Sequence, residues 1–289
     1  DVFRAKSYSN VYKILKNLTS DQDLDPKNLK SMKGIGQGTI DKIKEIIDTN
    51  KLQEYETIKH KKSPYEDFLK IHGVGKKHAK KLYDSGFKTI DDLYNCENIH
   101  DHLNDTQIKG LKYYQDILQR IPYQEIINHE KYLKNTLLKI DPTAELTIAG
   151  SYRRKKSDSG DIDLLLKASS RKIYDIFIDR LKKSNYLIED LARGSKKYMG
   201  LGKIDISPCC RRIDIMYTKP EEYPFAILYF TGSMEFNVKM RGELLEKGLS
   251  LNEYGVKNVE TNKMVKHSCL TEEDVFKLLG YEYIHPQAR

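Results

Sequence analysis

The sequence predicts an α+β chain, helical over its first 120 residues and carrying a short mixed sheet after them. Three observations point there. The opening part is punctuated by turn residues and lacks long β-branched runs. From residue 145 onward, short apolar runs of strand character are separated by amphipathic helical stretches. An Asp-x-Asp pair opens one of those strands a short distance behind a Gly-Ser turn. At 289 residues the chain has enough length for more than one domain and a sizeable core.

Composition narrows the class. Lys and Arg number 50 against 42 Asp and Glu, a net charge of +8, which favours a polyanionic partner. Apolar residues are plentiful and no low-complexity run occurs, which excludes collagen-like, mucin-like and wholly disordered chains. No stretch approaches the ~18 uncharged apolar residues that a spanning helix needs, so no membrane is expected. Four cysteines, two of them adjacent (Cys209 and Cys210), suit neither a disulfide framework nor a C-x-x-C knuckle. They read as reduced thiols of an intracellular protein that is not secreted, without zinc. The chain opens at Asp1 rather than Met and without an apolar leader, so an N-terminal truncation is expected.

The first recognisable unit occurs twice. Ser31-Met32-Lys33-Gly34-Ile35-Gly36 leads into an amphipathic run from Thr39 to Ile47, and Leu69-Lys70-Ile71-His72-Gly73-Val74-Gly75 leads into another from Lys76 to Leu82. Glycines opening a helix leave backbone N–H groups available and let a phosphate approach closely. Around the second copy, Lys59 to Lys88 holds nine Lys against Glu66, Asp67 and Asp84, a charge suited to non-specific contact with a nucleic-acid backbone. Lys42 lies between Ile40 and Ile43 on the first of these helices. Partial desolvation there is expected to lower its pKa and free a neutral amine; by spacing alone, a snorkelling surface lysine is the competing reading.

After Ile121-Pro122 the pattern changes. It predicts a helix over Glu125–Ile140, strands over Glu145–Ala149, Ile162–Leu166, Ile204–Ser207 and Ile213–Tyr217, and a helix over Arg171–Ser184. Further helices are expected near Val238–Lys247 and Glu272–Leu279. On a strand, Asp161 and Asp163 share one face while Ile162, Leu164 and Leu166 pack behind. Adjacent carboxylates repel and make poor core, so hard cations, Mg²⁺ foremost, explain them best. The Gly150-Ser151 turn and Arg154 offer N–H, hydroxyl and charge to a phosphate. A third carboxylate would complete a two-metal site. Asp205 and Asp214 stand in near-identical frames, Lys-Ile-Asp-Ile and Arg-Ile-Asp-Ile, and the pattern does not choose between them.

Taken together these residues resemble the family X DNA polymerases, and most closely the polymerase β type. The likeness runs in order over the chain: both glycine hairpins, Gly150-Ser151 through Asp163, Arg211-Arg212-Ile213-Asp214, Tyr229-Phe230-Thr231-Gly232-Ser233, Phe236-Asn237, Met240-Arg241, Glu246-Lys247-Gly248 and Asn252-Glu253-Tyr254. The resemblance implies a multi-subdomain α+β chain: a lyase-like helix-hairpin-helix domain (1–57), a DNA-binding helix-hairpin-helix subdomain (58–122), a nucleotidyltransferase palm with a mixed β-sheet (123–220) and a small α/β C-terminal subdomain (221–289). It implies that Asp161, Asp163 and Asp214 hold two Mg²⁺ ions, with Mn²⁺ able to substitute, and so selects Asp214 over Asp205. Gly150, Ser151, Arg154, Gly160 and Arg120 would bind the triphosphate of a dNTP. Tyr229, Phe230 and Gly232 would exclude a ribose 2′-OH, and Asn237 and Arg241 would read minor-groove edges. Lys197, Arg212 and Tyr254 would touch DNA. Backbone of Gly34, Gly36, Gly73 and Gly75 would meet its phosphates, with Na⁺ or K⁺ held through the backbone at Lys30, Met32, Ile35, Ile71 and Val74.

The same resemblance makes Lys42 the Schiff-base lysine of a 5′-deoxyribose-phosphate lyase, with Tyr8 in support. The implied function is template-directed gap filling in base excision repair, on gapped or nicked double-stranded DNA, by a monomer in a nuclear, cytoplasmic or viral setting. Two features depart from polymerase β: Gly38 stands where it has a lysine, and Met216 where it has an arginine that exchanges partners on closing. The competing readings are a template-independent transferase and a non-catalytic DNA-binding protein.

Overall fold

The computed structural model describes residues 2–16, 18, 20, 24–58 and 63–289. The chain divides into two compact units, Asp1–Glu66 and Asp67–Arg289. Part of the lysine cluster counted over 59–88 therefore lies outside the described residues.

The first unit holds α1 (Val2–Lys16), α2 (Pro26–Ser31), α3 (Gln37–Thr49) and α4 (Gln53–Ile58). Asp25 caps α2 by accepting from the Lys27 N–H at 2.8 Å, and Pro26 supplies the preset first φ. The turn from α2 to α3 needs its glycine, because Gly34 sits at φ +101°. Leu29, Ile35, Ile40 and Ile43 are buried together, with Ile14 and Leu15 packed against them.

The second unit begins with α5 (Lys76–Asp84), α6 (Ile90–Tyr94), α7 (Asp105–Lys112) and α8 (Tyr114–Leu118). Thr89–Asp92 and Asn104–Gln107 form capping boxes, each satisfying donors that a helix start leaves open. Strand β1 (Ile121–Pro122) pairs with β3 (Asp158–Ser159). Between them lie α9 (Tyr123–Leu138), β2 (Glu145–Ile148) and α10 (Gly150–Arg153); then follow β4 (Ile162–Lys167), α11 (Arg171–Lys183), β5 (Leu187–Arg193), β6 (Lys197–Gly202) and β7 (Arg211–Thr218). The main sheet runs β2-β4-β7-β6-β5, with β4 and β7 parallel and the other neighbours antiparallel. Both faces of its centre are covered. Leu164, Leu166, Ile213 and Ile215 join Ile126, Leu133, Tyr174 and Phe177 of α9 and α11. Leu165 and Met216 pack on the other side against Ala226 and Ile227. A strand covered on both sides reads as a continuous apolar run.

Those last two residues belong to α12 (Tyr223–Thr231), which is followed by α13 (Met234–Glu246), the hairpin β8 (Leu249–Asn252) and β9 (Gly255–Asn258), and α14 (Glu272–Leu278). Phe225, Leu228, Leu244, Val275 and Phe276 form their core. Helix α13 starts four residues ahead of its expected start because Ser233 caps it, accepting from Phe236 N–H.

One expected strand does not form. Ile204–Ser207 is a turn, with Ile206 67% exposed and Ser207 N–H donating to Ile204 O. Pro208 lacks an N–H for a ladder, and Ser207 Oγ donates into the interior, to Glu125 at 2.8 Å. The strands that do form, β5 and β6, are polar or glycine-rich, and lack the apolar signal that marks their neighbours. Among the described residues no helix is long and apolar enough to cross a membrane.

Candidate active site

The site grows from one register match. Asp163 on β4 lies directly opposite Asp214 on β7 in the parallel pairing. Asp163 shares a face with Leu165, and Asp214 with Met216, so both acids stand on the α12 side of the sheet. Asp205, in its turn, is exposed and off the sheet. Burial, and then the neighbouring Asp214 charge, push the Asp163 carboxyl up to about 6, with Lys197 and Arg154 working against both. Asp214 is buried; its Oδ2 lies 3.1 Å from Lys197 Nζ, and its Oδ1 meets no hydrogen-bond partner. Asp161 precedes β4 and is ion-paired with Arg212. Among the described residues no three acidic, His or Cys side chains converge closely enough to form a ready metal cage.

Above the pair lies the turn after β2. Ala149 N–H donates to Asp163 O at 2.8 Å, and Gly150 takes φ +53°. A Cβ at Gly150 would strike the Asp163 carboxylate, so only glycine lets the turn lie this close. Ser151 donates to the buried Ser159 hydroxyl at 2.7 Å. Arg154 reaches across to Thr231 O at 2.5 Å, ending α12 against this turn, and its Nε lies buried without a partner. Arg120 is bound to Asp158 at 2.6 Å, beside Gly160 and outside the cleft lining.

A cleft of about 740 Å³ opens over Gly150, Ser151, Asp161 and Asp163, and α12 and α13 form its far wall. Tyr229 and Phe230 meet edge to face at 5.6 Å. Gly232, at φ +69°, and the cis Gly232–Ser233 bond turn the chain into α13. Asn237 donates to Tyr229 O at 2.8 Å, and the Arg241 guanidinium lies 6.0 Å from the Tyr229 ring. Tyr254 stands apart from the cleft, its ring 4.4 Å from Lys196 Nζ.

Sequence reasoning missed the brace behind this wall. Arg153 donates to Thr231 Oγ1 at 2.6 Å and to Glu272 Oε2 at 2.9 Å; Arg289 grips the same carboxylate from the other side at 2.5 Å. The doubled arginine after Gly-Ser was the one available signal. Glu272 lies 119 residues from Arg153, beyond any local pattern.

The two glycine hairpins are built alike. Met32 N–H bonds Leu29 O and Ile35 N–H bonds Met32 O; 39 residues on, Ile71 N–H bonds Phe68 O and Val74 N–H bonds Ile71 O. Gly34 and Gly73 are left-handed, and Gly36 and Gly75 open α3 and α5 without a side-chain cap. Ile35, Ile71 and Val74 bury their side chains, so only their backbone is open to a ligand, whereas Lys30 is exposed and Met32 half-buried. In the second copy Gln107 Nε2 donates to Gly73 O at 2.8 Å. A Cβ at Gly110 would fall 2.6 Å from His72 O, so α7 approaches through glycine.

In the first unit Lys42 Nζ donates to Tyr8 Oη at 2.5 Å and is ion-paired with Glu54, whose other oxygen accepts from Arg4 at 2.7 Å. This corrects the expectation of a lowered pKa. The hydrogen bond to Glu54, then that to Tyr8, hold the ammonium above its usual range and outweigh desolvation. Nothing near Lys42 in sequence marks Glu54, which arrives on α4.

Residues 120–220 match the DNA polymerase beta palm, 226–289 the DNA polymerase beta thumb, and 66–118 the fingers domain of DNA polymerase lambda. The whole chain is 31% identical to DNA polymerase lambda of Rattus norvegicus, and 90% of it is 32% identical to DNA polymerase lambda of Arabidopsis thaliana, in each case over 53% of the relative. A DNA nucleotidylexotransferase of Xenopus laevis is 28% identical over 91% of the chain and 59% of its own length. The chain thus spans about half the length of the curated relatives it matches. It belongs to the family X DNA polymerases, of the polymerase β type.

Proposed function

We propose that the chain is a template-directed, gap-filling DNA polymerase that adds dNMP to a primer 3′-OH, with a 5′-deoxyribose-phosphate lyase activity, acting in base excision repair. The observation that carries the polymerase reading is the pairing of Asp163 with Asp214 under the Gly150–Ser151 turn, inside the segment that matches the palm. The donors suit hard divalent cations: all are oxygens, the buried Asp214 Oδ1 is unpaired, and Asp163 and Asp214 repel. Two Mg²⁺ ions, or Mn²⁺ in their stead, held by Asp161, Asp163 and Asp214 would supply charge neutralisation at the attacking and leaving oxygens. Arg212 must release Asp161 for that. Asp214 assists deprotonation of the 3′-OH. Gly150, Ser151, Arg154, Gly160 and Arg120 hold the triphosphate. Tyr229, Phe230 and Gly232 bar a 2′-OH, and Asn237 and Arg241 read base edges in the minor groove.

The domain reading is 1–57 as the lyase-like helix-hairpin-helix domain, 58–122 as the DNA-binding one, 123–220 as palm and 221–289 as the C-terminal selecting subdomain. The hairpins, Lys197, Arg212 and Tyr254 contact gapped or nicked duplex, with Na⁺ or K⁺ at each hairpin backbone. The protein acts as an intracellular monomer; its four free cysteines agree with a reducing compartment. On 5′-deoxyribose phosphate Lys42 forms the Schiff base beside Tyr8, after giving up the proton that Glu54 now shares.

Extension of one-nucleotide-gapped DNA tests the polymerase. Asp163→Asn or Asp214→Asn reduces incorporation by about 10²–10³-fold, whereas Asp205→Ala retains most of it; an essential Asp205 would displace Asp214 from this assignment. Borohydride trapping on a 5′-deoxyribose-phosphate end gives an adduct that Lys42→Ala removes, and an undiminished adduct would sink the lyase assignment. The likeness to a nucleotidylexotransferase favours template-independent addition as the second reading. Incorporation with and without template separates the two.

A further inference from the structure

Two basic side chains beside the aspartates are already engaged by them. Arg212 is ion-paired with Asp161, and Lys197 with the buried Asp214. Both bases remain partly open, at 29% and 47% side-chain exposure, and Arg212 has a buried Nε without a partner. Neither pair is replaceable by a neighbouring base among the described contacts: Lys196, next in sequence, is spent on Glu222 at 3.1 Å and on the Tyr254 ring, and Arg211 is held by Glu125 at 2.7 Å.

We propose that Arg212 and Lys197 are shared cations, neutralising Asp161 and Asp214 in the metal-free chain and passing to phosphate when a divalent cation takes the carboxylates, so that cation and nucleic acid bind cooperatively. The inference rests on the reading of the aspartates as the divalent site and of these two bases as nucleic-acid contacts. Its logic is exchange of ion pairs: a cation arriving at Asp214 competes with Lys197, and a phosphate arriving at Lys197 frees Asp214. Because each ligand removes the other's competitor, the coupling is reciprocal. The same ion pairs relieve the charge of three crowded carboxylates before any ligand arrives.

The test reads Mn²⁺ affinity by water-proton relaxation on the full chain, with and without a gapped duplex, after subtracting Mn²⁺ bound by the duplex alone. The duplex is expected to tighten Mn²⁺ binding about tenfold. Lys197→Gln in the free chain is expected to bind Mn²⁺ more tightly than wild type, and to lose most of the tightening by duplex. Lys196→Gln removes the same charge one residue away and should change neither quantity. Arg212→Gln repeats the Lys197 result if it folds; the half-exposed Lys197 keeps the test open if it does not. Equal Mn²⁺ affinity with and without duplex overturns the coupling, as does a Lys196→Gln chain that behaves like Lys197→Gln. If Asp163→Asn binds Mn²⁺ as wild type does, the reading of the divalent site itself fails, and the inference with it.

Discussion

His129 shows how much chemistry one buried side chain can hold without touching the active site. Its Nδ1 lies 2.8 Å from Tyr186 Oη and its Nε2 3.2 Å from Ser207 Oγ, on the inner face of α9. Burial pushes its pKa down to about 4 despite the nearby Glu125. The unfolded chain takes up a proton near the ordinary histidine value of about 6.5, which the folded ring refuses until about pH 4. Stability is therefore full above the unfolded value and falls as pH drops through this window, by about 2 kcal/mol at pH 5. Urea unfolding at pH 7.5 and pH 5 checks it: His129→Gln should lose about that much less stability than wild type between the two. At this scale Asp161 and Asp163 were legible because a period-two pattern and a Gly-Ser turn announce them, whereas the pattern alone did not separate Asp214 from Asp205. The environment of Lys42 was not, because a flanking isoleucine says nothing of the carboxylate that α4 brings.

The two hairpins were the most legible elements of the fold. Glycines at fixed offsets from apolar anchors encode a left-handed turn directly, and Gly34 and Gly73 adopt it. The β5–β6 hairpin was illegible for the opposite reason. Gly200 and Gly202 admit the Tyr198 and Tyr186 rings against the strand, so their signal is space for another side chain rather than apolarity of their own. Gly73→Ala tests the hairpin as a unit: a methyl group there meets both positive φ and Gln107 Cγ at 3.2 Å, a backbone cost of about 1–2 kcal/mol. On the proposed reading, fluorescence anisotropy on gapped duplex should show weaker binding by about tenfold, uniformly across sequences. Sequence-dependent loss would instead assign the hairpin to base reading.

On the scale of the whole molecule, three of the eight net positive charges fall in residues 1–66 and five in the remainder. That division follows two compact units, each with its own glycine hairpin of the same hydrogen-bond pattern. What the chain order alone could not reveal was which distant segments brace the cleft, since the Arg153–Glu272–Arg289 brace joins residues with no common periodicity. The repeated hairpin carries a consequence for affinity. On the proposed reading, one polypeptide presents two weak grips to one duplex and behaves as a bivalent ligand. Once the first grip engages, the second meets its phosphates as an intramolecular partner rather than from bulk solution. Loss of either hairpin then costs that avidity as well as its own contacts, while each single grip stays weak enough to let go and move along the duplex.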